Sequence, residues 1–340
     1  MQSLFGYFSA PLKQILAVLS TRLTQPLQEI RIREGRPLEA SWGSGFGFIS
    51  PEGTWCPSPE QAYRPTRQDC ASLLELLTQH SMYTFEEELK RGFLTVQGGH
   101  RVGLAGRTVI EQGKVKYIKE VSGFNIRIAR EWKQAGRLVL PYLIDQRHGQ
   151  VYRTLIVSPP QLGKTTLIRD IARLLSGGEA AEAAAGWEGG APFRRVYKVG
   201  IVDERSEIAA CVRGVPSFDV GPRTDVLDGC PKAEGMMMMI RSMSPEVLIA
   251  DEIGRAEDAA ALHEALHAGI SVIATAHGRD VEDVRRRPIL KDLIEEGVFE
   301  RYVVLSPAPQ ESVPGPVSAV YDAGGRRLDE RLALRGGSSL

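Results

Sequence analysis

The sequence predicts an α/β protein with two domains, a smaller N-terminal α+β domain at residues 1–145 and a larger domain at residues 146–340. Upstream of residue 150, short stretches alternate apolar and polar residues, which is typical of antiparallel strands with one face in water. Downstream, continuous apolar runs alternate with helical patterns, which is typical of strands buried on both faces of a parallel sheet. A chain of 340 residues is long enough to form both cores.

Composition excludes several classes of protein. Lys plus Arg and Asp plus Glu both number 42, so there is no global positive charge to hold a nucleic acid, and none is expected as a partner. The 4 cysteines are scattered without a C-x-x-C pair, which argues against a disulfide framework and fits a reducing compartment. No segment approaches the ~20 apolar residues of a membrane span, so any membrane association would run through a partner.

The elements follow from these patterns in chain order. In the first domain, helices are predicted at 11–21 and 71–77, and strands at 29–33, 102–110, 115–118 and 124–128. In the second domain, buried strands are predicted at 154–157, 199–202, 247–250, 271–275 and 302–305. Residues 176–195 are small and glycine-rich, which predicts a flexible insertion.

A phosphate-binding (Walker A) loop is predicted after the strand at 154–157. The sequence SPPQLGKTT follows that strand and precedes a helical pattern, the context that a G-x-x-x-x-G-K-[ST] loop requires. Backbone N–H groups and the helix N-terminus would hold the phosphates of ATP, Lys164 would bridge two of them, and Thr165 would ligate Mg²⁺. Ser158 departs from the pattern, because it stands where the first glycine is expected. The residues predicted to contact the nucleotide are Ser158, Pro159, Pro160, Gln161, Leu162, Gly163, Lys164, Thr165 and Thr166.

Three further predicted strands also end in polar groups. The run EVLIADEI delivers Asp251, suited to Mg²⁺ binding, and Glu252, suited to polarising a water molecule. The strand at 199–202 leads into Asp203 and Glu204, and the strand at 271–275 leads to His277, which can hydrogen-bond to developing charge on a phosphate. Because these strand ends would meet at one sheet edge, the second domain is predicted to be a RecA-like P-loop NTPase core that uses ATP and Mg²⁺.

Long strings in both domains resemble one family. The run DVGPRTDVLDGCPKAEGMMMMIRSMSPEVLIADEIGR, flanked by IVDERSEIA and ISVIATAHG, resembles the stage III sporulation protein AA family. GHRVGLAG and NIRIARE in the first domain are also similar to it. These proteins are mother-cell ATPases of endospore-forming bacteria, related to the type II and type IV secretion ATPases.

The resemblance implies an assembly and further site residues. It implies a hexamer on the cytoplasmic face of a channel between mother cell and forespore, held there by membrane subunits such as stage III sporulation protein AB. It implies that Glu204 belongs to a second acidic box and leaves open whether Glu204 or Glu252 orients the attacking water. It also implies that Arg127 and Arg130 reach the nucleotide and that Arg223 reaches the phosphate of a neighbouring subunit.

The sequence is compatible with two other functional hypotheses. RecA-like cores also serve nucleic-acid motors, although the neutral charge argues against that alternative, and stimulation by single-stranded DNA would support it. The third hypothesis is a scaffold that does not hydrolyse ATP because Ser158 replaces glycine. Separately, Met236, Met237, Met238 and Met239 predict a buried helix, with a partner-binding groove as the alternative.

Overall fold

The computed structural model describes residues 2–23, 27–43, 45–81, 85–111, 113–129, 131–160, 162–177, 195–307 and 317–329. The chain divides into two compact units, one of residues 1–130 with 210–217 and the other of residues 131–209 with 218–340. This division falls 15 residues before the expected boundary at 145/146. Residues 178–194 of the predicted insertion lie outside the described ranges.

The first unit contains an antiparallel sheet of 7 strands in the order β4-β3-β2-β1-β7-β6-β5. Its strands are β1 (Glu29–Arg33), β2 (Glu39–Trp42), β3 (Gly45–Ile49), β4 (Trp55–Cys56), β5 (Phe93–Val96), β6 (His100–Glu111) and β7 (Lys114–Arg127). Helices α1 (Ala10–Arg22), α2 (Arg67–Leu77) and α3 (Glu86–Arg91) accompany it, after a short 3-10 helix at Gln2–Tyr7. The predicted strands at 115–118 and 124–128 belong to one strand, β7, which pairs with β6 on both sides of a register shift at residues 120–122.

One face of this sheet forms the core of the first unit. Successive side chains of a strand point to opposite faces of the sheet, which places Ile30 and Ile32 of β1 and Ile126 of β7 on that face. Each of the three is at most 1 % exposed. Leu12, Leu16 and Leu19 of α1 pack in the same cluster. The predicted α+β character and the two predicted helices are confirmed.

The second unit contains a sheet of 7 strands in the order β12-β11-β13-β14-β10-β15-β16. Six strands run parallel and β16 pairs antiparallel with β15. The strands are β10 (Thr154–Ser158), β11 (Val199–Asp203), β12 (Thr224–Asp228), β13 (Val247–Ala250), β14 (Ser271–His277), β15 (Arg301–Leu305) and β16 (Val317–Asp322). A separate pair, β8 (Ile144–Asp145) and β9 (Gln150–Val151), precedes them.

Helices accompany this parallel sheet. They are α4 (Leu140–Leu143), α5 (Lys164–Gly177), α6 (Lys232–Ser242), α7 (Ala256–His267), α8 (Val281–Arg285) and α9 (Pro288–Glu295). All five predicted strands are present and their apolar residues are buried, as continuous apolar runs require. None of the helices in the described ranges combines the length and the apolar character needed to cross a bilayer.

Candidate active site

The loop between β10 and α5 has the backbone that its sequence requires. Gly163 adopts φ +85°, a left-handed conformation that glycine takes without strain. Ser158 is fully buried, has a φ outside the left-handed region, and donates its hydroxyl to the Pro159 carbonyl at 2.6 Å. Serine therefore fits the first position of the loop, because no glycine conformation is needed there.

The Lys164 ammonium is held within the loop. Its Nζ donates to the carbonyl oxygens of Ser158 and Pro159, each at 3.2 Å, and lies 3.0 Å from His277 Nδ1. Because an ammonium only donates, Nδ1 of His277 must accept this bond. Burial lowers the pKa of Lys164, while the Asp251 and Glu252 carboxylates act in the opposite direction. A phosphate would give this buried cation a stronger partner than two carbonyls do.

Asp251 lies between two hydroxyl groups. Thr165 Oγ1 donates to Asp251 Oδ2 at 3.0 Å, and Thr275 Oγ1 donates to Asp251 Oδ1. The Thr165 hydroxyl, at the start of α5, and the Asp251 carboxylate, at the end of β13, match the oxygen ligands that Mg²⁺ prefers. The predicted metal residues, Thr165 and Asp251, are therefore adjacent and their donor atoms fit Mg²⁺.

The Glu252 side chain is fixed on both carboxylate oxygens. Oε1 lies 2.7 Å from His277 Nε2, and Oε2 lies 2.9 Å from an Arg205 guanidinium nitrogen. Its backbone has φ +54°, which is left-handed and strained for a non-glycine residue. Thr275 Oγ1 accepts the Glu252 N–H at 2.8 Å, and Lys232 Nζ donates to the Glu252 carbonyl at 2.6 Å. These two bonds hold the turn that aims Glu252 towards His277.

The two residues of the pair Asp203–Glu204 have different surroundings, and Asp203 is the buried one. Asp203 is 2 % exposed, and its carboxylate accepts the backbone N–H groups of Glu207, Ile208 and Ala209 at 2.8–2.9 Å. Burial raises its pKa to about 6, although the three N–H donors favour the charged form. Asp203 therefore organises a loop.

Arg169 holds the same loop from its carbonyl side. Its buried guanidinium donates to the carbonyls of Glu207 and Ile208 and stacks on the Phe218 ring at 4.0 Å. Burial lowers the pKa of Arg169 to about 10. The loop is thus fixed through both its N–H and its C=O groups.

Glu204 lines a small cavity together with the Asp251–Glu252 pair. Its Oε2 lies 3.5 Å from Lys232 Nζ, and its Oε1 lies 4.0 Å from an Arg255 nitrogen. Glu204, Asp251 and Glu252 line the same cavity. Lys232, 8 % exposed, contacts both acidic pairs, through the Glu204 carboxylate and the Glu252 carbonyl.

The remaining predicted residues fall in several places. Pro160 and Leu162 lie in the phosphate loop and Thr166 in the first turn of α5, while Gln161 and Arg130 lie outside the described residues. Arg127 ends β7 of the first unit, where it is exposed.

Arg223 is not brought to the phosphate loop of its own chain. It donates to the Val196 carbonyl at 3.0 Å, just before β12 begins. The strands are parallel, so this is the sheet edge opposite to the one that carries the loop. Any action of Arg223 on a phosphate would therefore need another subunit.

Sequence reasoning assigned no role to three residues of the site. Thr275 lies in a strand predicted on its apolar character alone, and its position two residues before His277 was the available signal. Lys232 and Arg205 have no motif, because their roles depend on β11 and β13 being neighbours in the sheet.

The parallel sheet, the phosphate loop and the converging carboxylates define a RecA-like P-loop NTPase core with a smaller α+β domain. Solved structures share this fold. The ATPase DotB of Legionella pneumophila aligns with TM-score 0.55 at 15% identity, over 97% of this chain and 85% of that one. The pilus retraction motor PilT with bound ADP aligns with TM-score 0.56 at 13% identity, over 90% and 82% of the two chains.

Sequence comparison then gives the family. Residues 2–328 match the family model of sporulation stage III, protein AA. Stage III sporulation protein AA of Bacillus subtilis (strain 168) is 47% identical over 324 residues, which cover 95% of this chain and 96% of that protein. The chain belongs to this family, as its resemblance predicted.

Proposed function

We propose that this protein is a Mg²⁺-dependent ATPase that powers the assembly of, or transport through, a secretion-like channel between mother cell and forespore. The observation that carries the proposal is the Thr165–Asp251 hydrogen bond of 3.0 Å beside the buried Lys164. It brings together, from two separate strand ends, the groups that nucleotide phosphates and their metal require. Membership in a sporulation family supports the cellular role.

In the proposed mechanism, Lys164 exchanges its carbonyl partners for phosphate oxygens. The backbone N–H groups at the start of α5 hold the same phosphates. Thr165 and Asp251 would hold Mg²⁺, which when bound neutralises phosphate charge. Because catalysis of phosphoryl transfer is mostly positional and electrostatic, these groups act by fixing the γ-phosphate for attack in line by water.

We assign the orientation of that water to Glu252, with Glu204 as the alternative. The Glu252 carboxylate is hydrogen-bonded to His277, which also contacts Lys164, so a single residue links Glu252 to the phosphate loop. The Glu204 carboxylate is instead paired with Lys232 and Arg255. When a phosphate takes Lys164 away from His277, Nδ1 of His277 would be free to take up a proton from solvent, and in that protonated form it would donate towards the γ-phosphate.

The first test is steady-state ATP turnover of the full chain with Mg²⁺ and with EDTA. We expect turnover that needs Mg²⁺ and that Lys164→Ala abolishes, because no other ammonium lies in the loop to offset phosphate charge. Nucleotide binding without turnover would favour the scaffold hypothesis. Turnover that requires single-stranded DNA would favour a nucleic-acid motor.

We further propose that the active assembly is a homo-oligomer, a hexamer, that meets the membrane through subunits such as stage III sporulation protein AB. Arg223, at the far sheet edge, would complete a neighbour's site, and Arg127 and Arg130 would act from the first unit. Specific activity should rise with protein concentration, and mixing Arg223→Ala with Glu252→Gln subunits should recover activity. A monomer by light scattering with ATP, with activity independent of concentration, would contradict this proposal.

A further inference from the structure

A surface groove separates two helices of the second unit, and none of the site residues described above lines it. Helices α6 and α7 pack side by side on one face of the parallel sheet. The groove between them is a cavity of about 590 Å³. Its floor is formed by Ala233, Met237 and Met238 of α6 and by Ala260 and Ala261 of α7.

The methionines of α6 serve two surfaces. Met236 and Met239 are fully buried in the core, which confirms the predicted buried helix for these two residues. Met238, in contrast, is 53% exposed in the groove, and Met237 lies beside it, partly buried. Because methionine is flexible and polarisable, two such side chains make a floor that adapts to apolar groups of different shape.

The rim of the groove is acidic. Glu234 of α6 and Glu257 and Glu264 of α7 line it, with Arg241 as the one cation among its lining residues. All four side chains are exposed, and none forms an ion pair within the described ranges. Glu257 and Glu264 are two turns apart, roughly 10 Å along α7, and so lie on one side of it.

We propose that this groove binds a basic amphipathic helix of another protein. The apolar stripe of that helix would lie on Met237 and Met238, and its Lys or Arg side chains would pair with Glu234, Glu257 and Glu264. An adaptable methionine floor with a carboxylate rim is complementary to such a helix in both shape and charge. The proposal is independent of ATP hydrolysis, because the groove shares no residue with the phosphate loop or its partners.

The test uses a fluorescent peptide of roughly 18 residues, with leucine and lysine arranged as an amphipathic helix, and the full-length chain. Fluorescence anisotropy measures binding, and a matched peptide with glutamate in place of lysine is the control ligand. We expect the lysine peptide to bind and the glutamate peptide not to bind. The double variants Met237→Ser/Met238→Ser and Glu257→Lys/Glu264→Lys should each weaken binding about tenfold or more.

Matched control variants separate groove binding from general attraction. Met243 is 43% exposed outside the groove, so Met243→Ser should leave binding unchanged. Asp225→Lys/Glu282→Lys makes the same change of charge elsewhere and should have little effect. Equal weakening by groove and control variants would overturn the proposal. A change of oligomeric state in the groove variants by light scattering would also overturn it, since the groove would then be an interface between copies.

Discussion

Two neighbouring strands of the second unit end in the same dipeptide, Asp-Glu, and the two pairs have different surroundings. At the end of β11, Asp203 accepts three backbone N–H groups and is almost fully buried. At the end of β13, Asp251 accepts two threonine hydroxyls instead. All the hydrogen bonds described for Asp203 go to its own loop, whereas the two hydroxyls that bind Asp251 are groups that a metal can share or replace. The two pairs therefore have different roles although both are Asp-Glu.

The largest effect should come from removing the loop-holding carboxylate. Asp203→Ala leaves three N–H groups without their acceptor, and those of Ile208 and Ala209 are buried, which costs about 1–3 kcal/mol each. We expect the free energy of unfolding to fall by at least about 2 kcal/mol, measured by urea denaturation. Asp225→Ala, at an exposed position on the adjacent β12, is the matched control and should change it little. Equal stability of the two variants would show that the loop does not depend on Asp203.

The next comparison is between the two glutamates. Glu252→Gln should lower ATP turnover on the order of a hundredfold while ATP still binds, because the amide keeps the shape but cannot polarise water as a carboxylate does. Glu204→Gln should lower turnover less than about tenfold. Single-turnover kinetics measure the chemical step, and binding of a fluorescent ATP analogue measures nucleotide affinity. The reverse order would assign the water to Glu204.

Thr275 allows a finer test, because it serves the β13 pair and not the β11 pair. Thr275→Val removes the bonds to the Asp251 carboxylate and the Glu252 N–H, and we expect roughly tenfold slower turnover. Thr275→Ser keeps the hydroxyl and should restore turnover to near the original rate. Equal losses in the two variants would point to packing of the buried methyl group as the cause.

The smallest expected effect is on pH dependence. The pKa of Asp203 is raised to about 6 by burial, above its usual value of 3.8, so the folded state holds the proton more tightly than the unfolded state. Its contribution to stability is therefore fully present below pH 3.8 and decreases as pH rises to about 6. The difference in stability between the original protein and Asp203→Asn should decrease over that range and then level off. A difference that grows with pH would mean that the three N–H donors outweigh burial.

The phosphate loop could be predicted from sequence because its chemistry is local. A strand, a loop with Gly163 and Lys164, and a helix are consecutive in the chain. Asp251 likewise follows a strand that a continuous apolar run identifies. Lys232 could not be predicted, and Thr275 had only its position two residues before His277 as a signal, since the contacts of both depend on the order β11-β13-β14-β10. Arg223 precedes β12, a strand with no continuous apolar run, so the sheet edge on which it lies could not be assigned.

The left-handed backbone of Glu252 has a consequence for how this protein can change over time. A φ of +54° costs a glutamate roughly 1–3 kcal/mol, and glycine would avoid most of that cost. Selection for a more stable protein alone would therefore replace Glu252, and selection for turnover would retain it. Glu252→Gly should consequently melt at a higher temperature than the original protein while hydrolysing ATP more slowly. In a population relieved of the need for its activity, we expect substitutions to glycine or asparagine at this position to accumulate early.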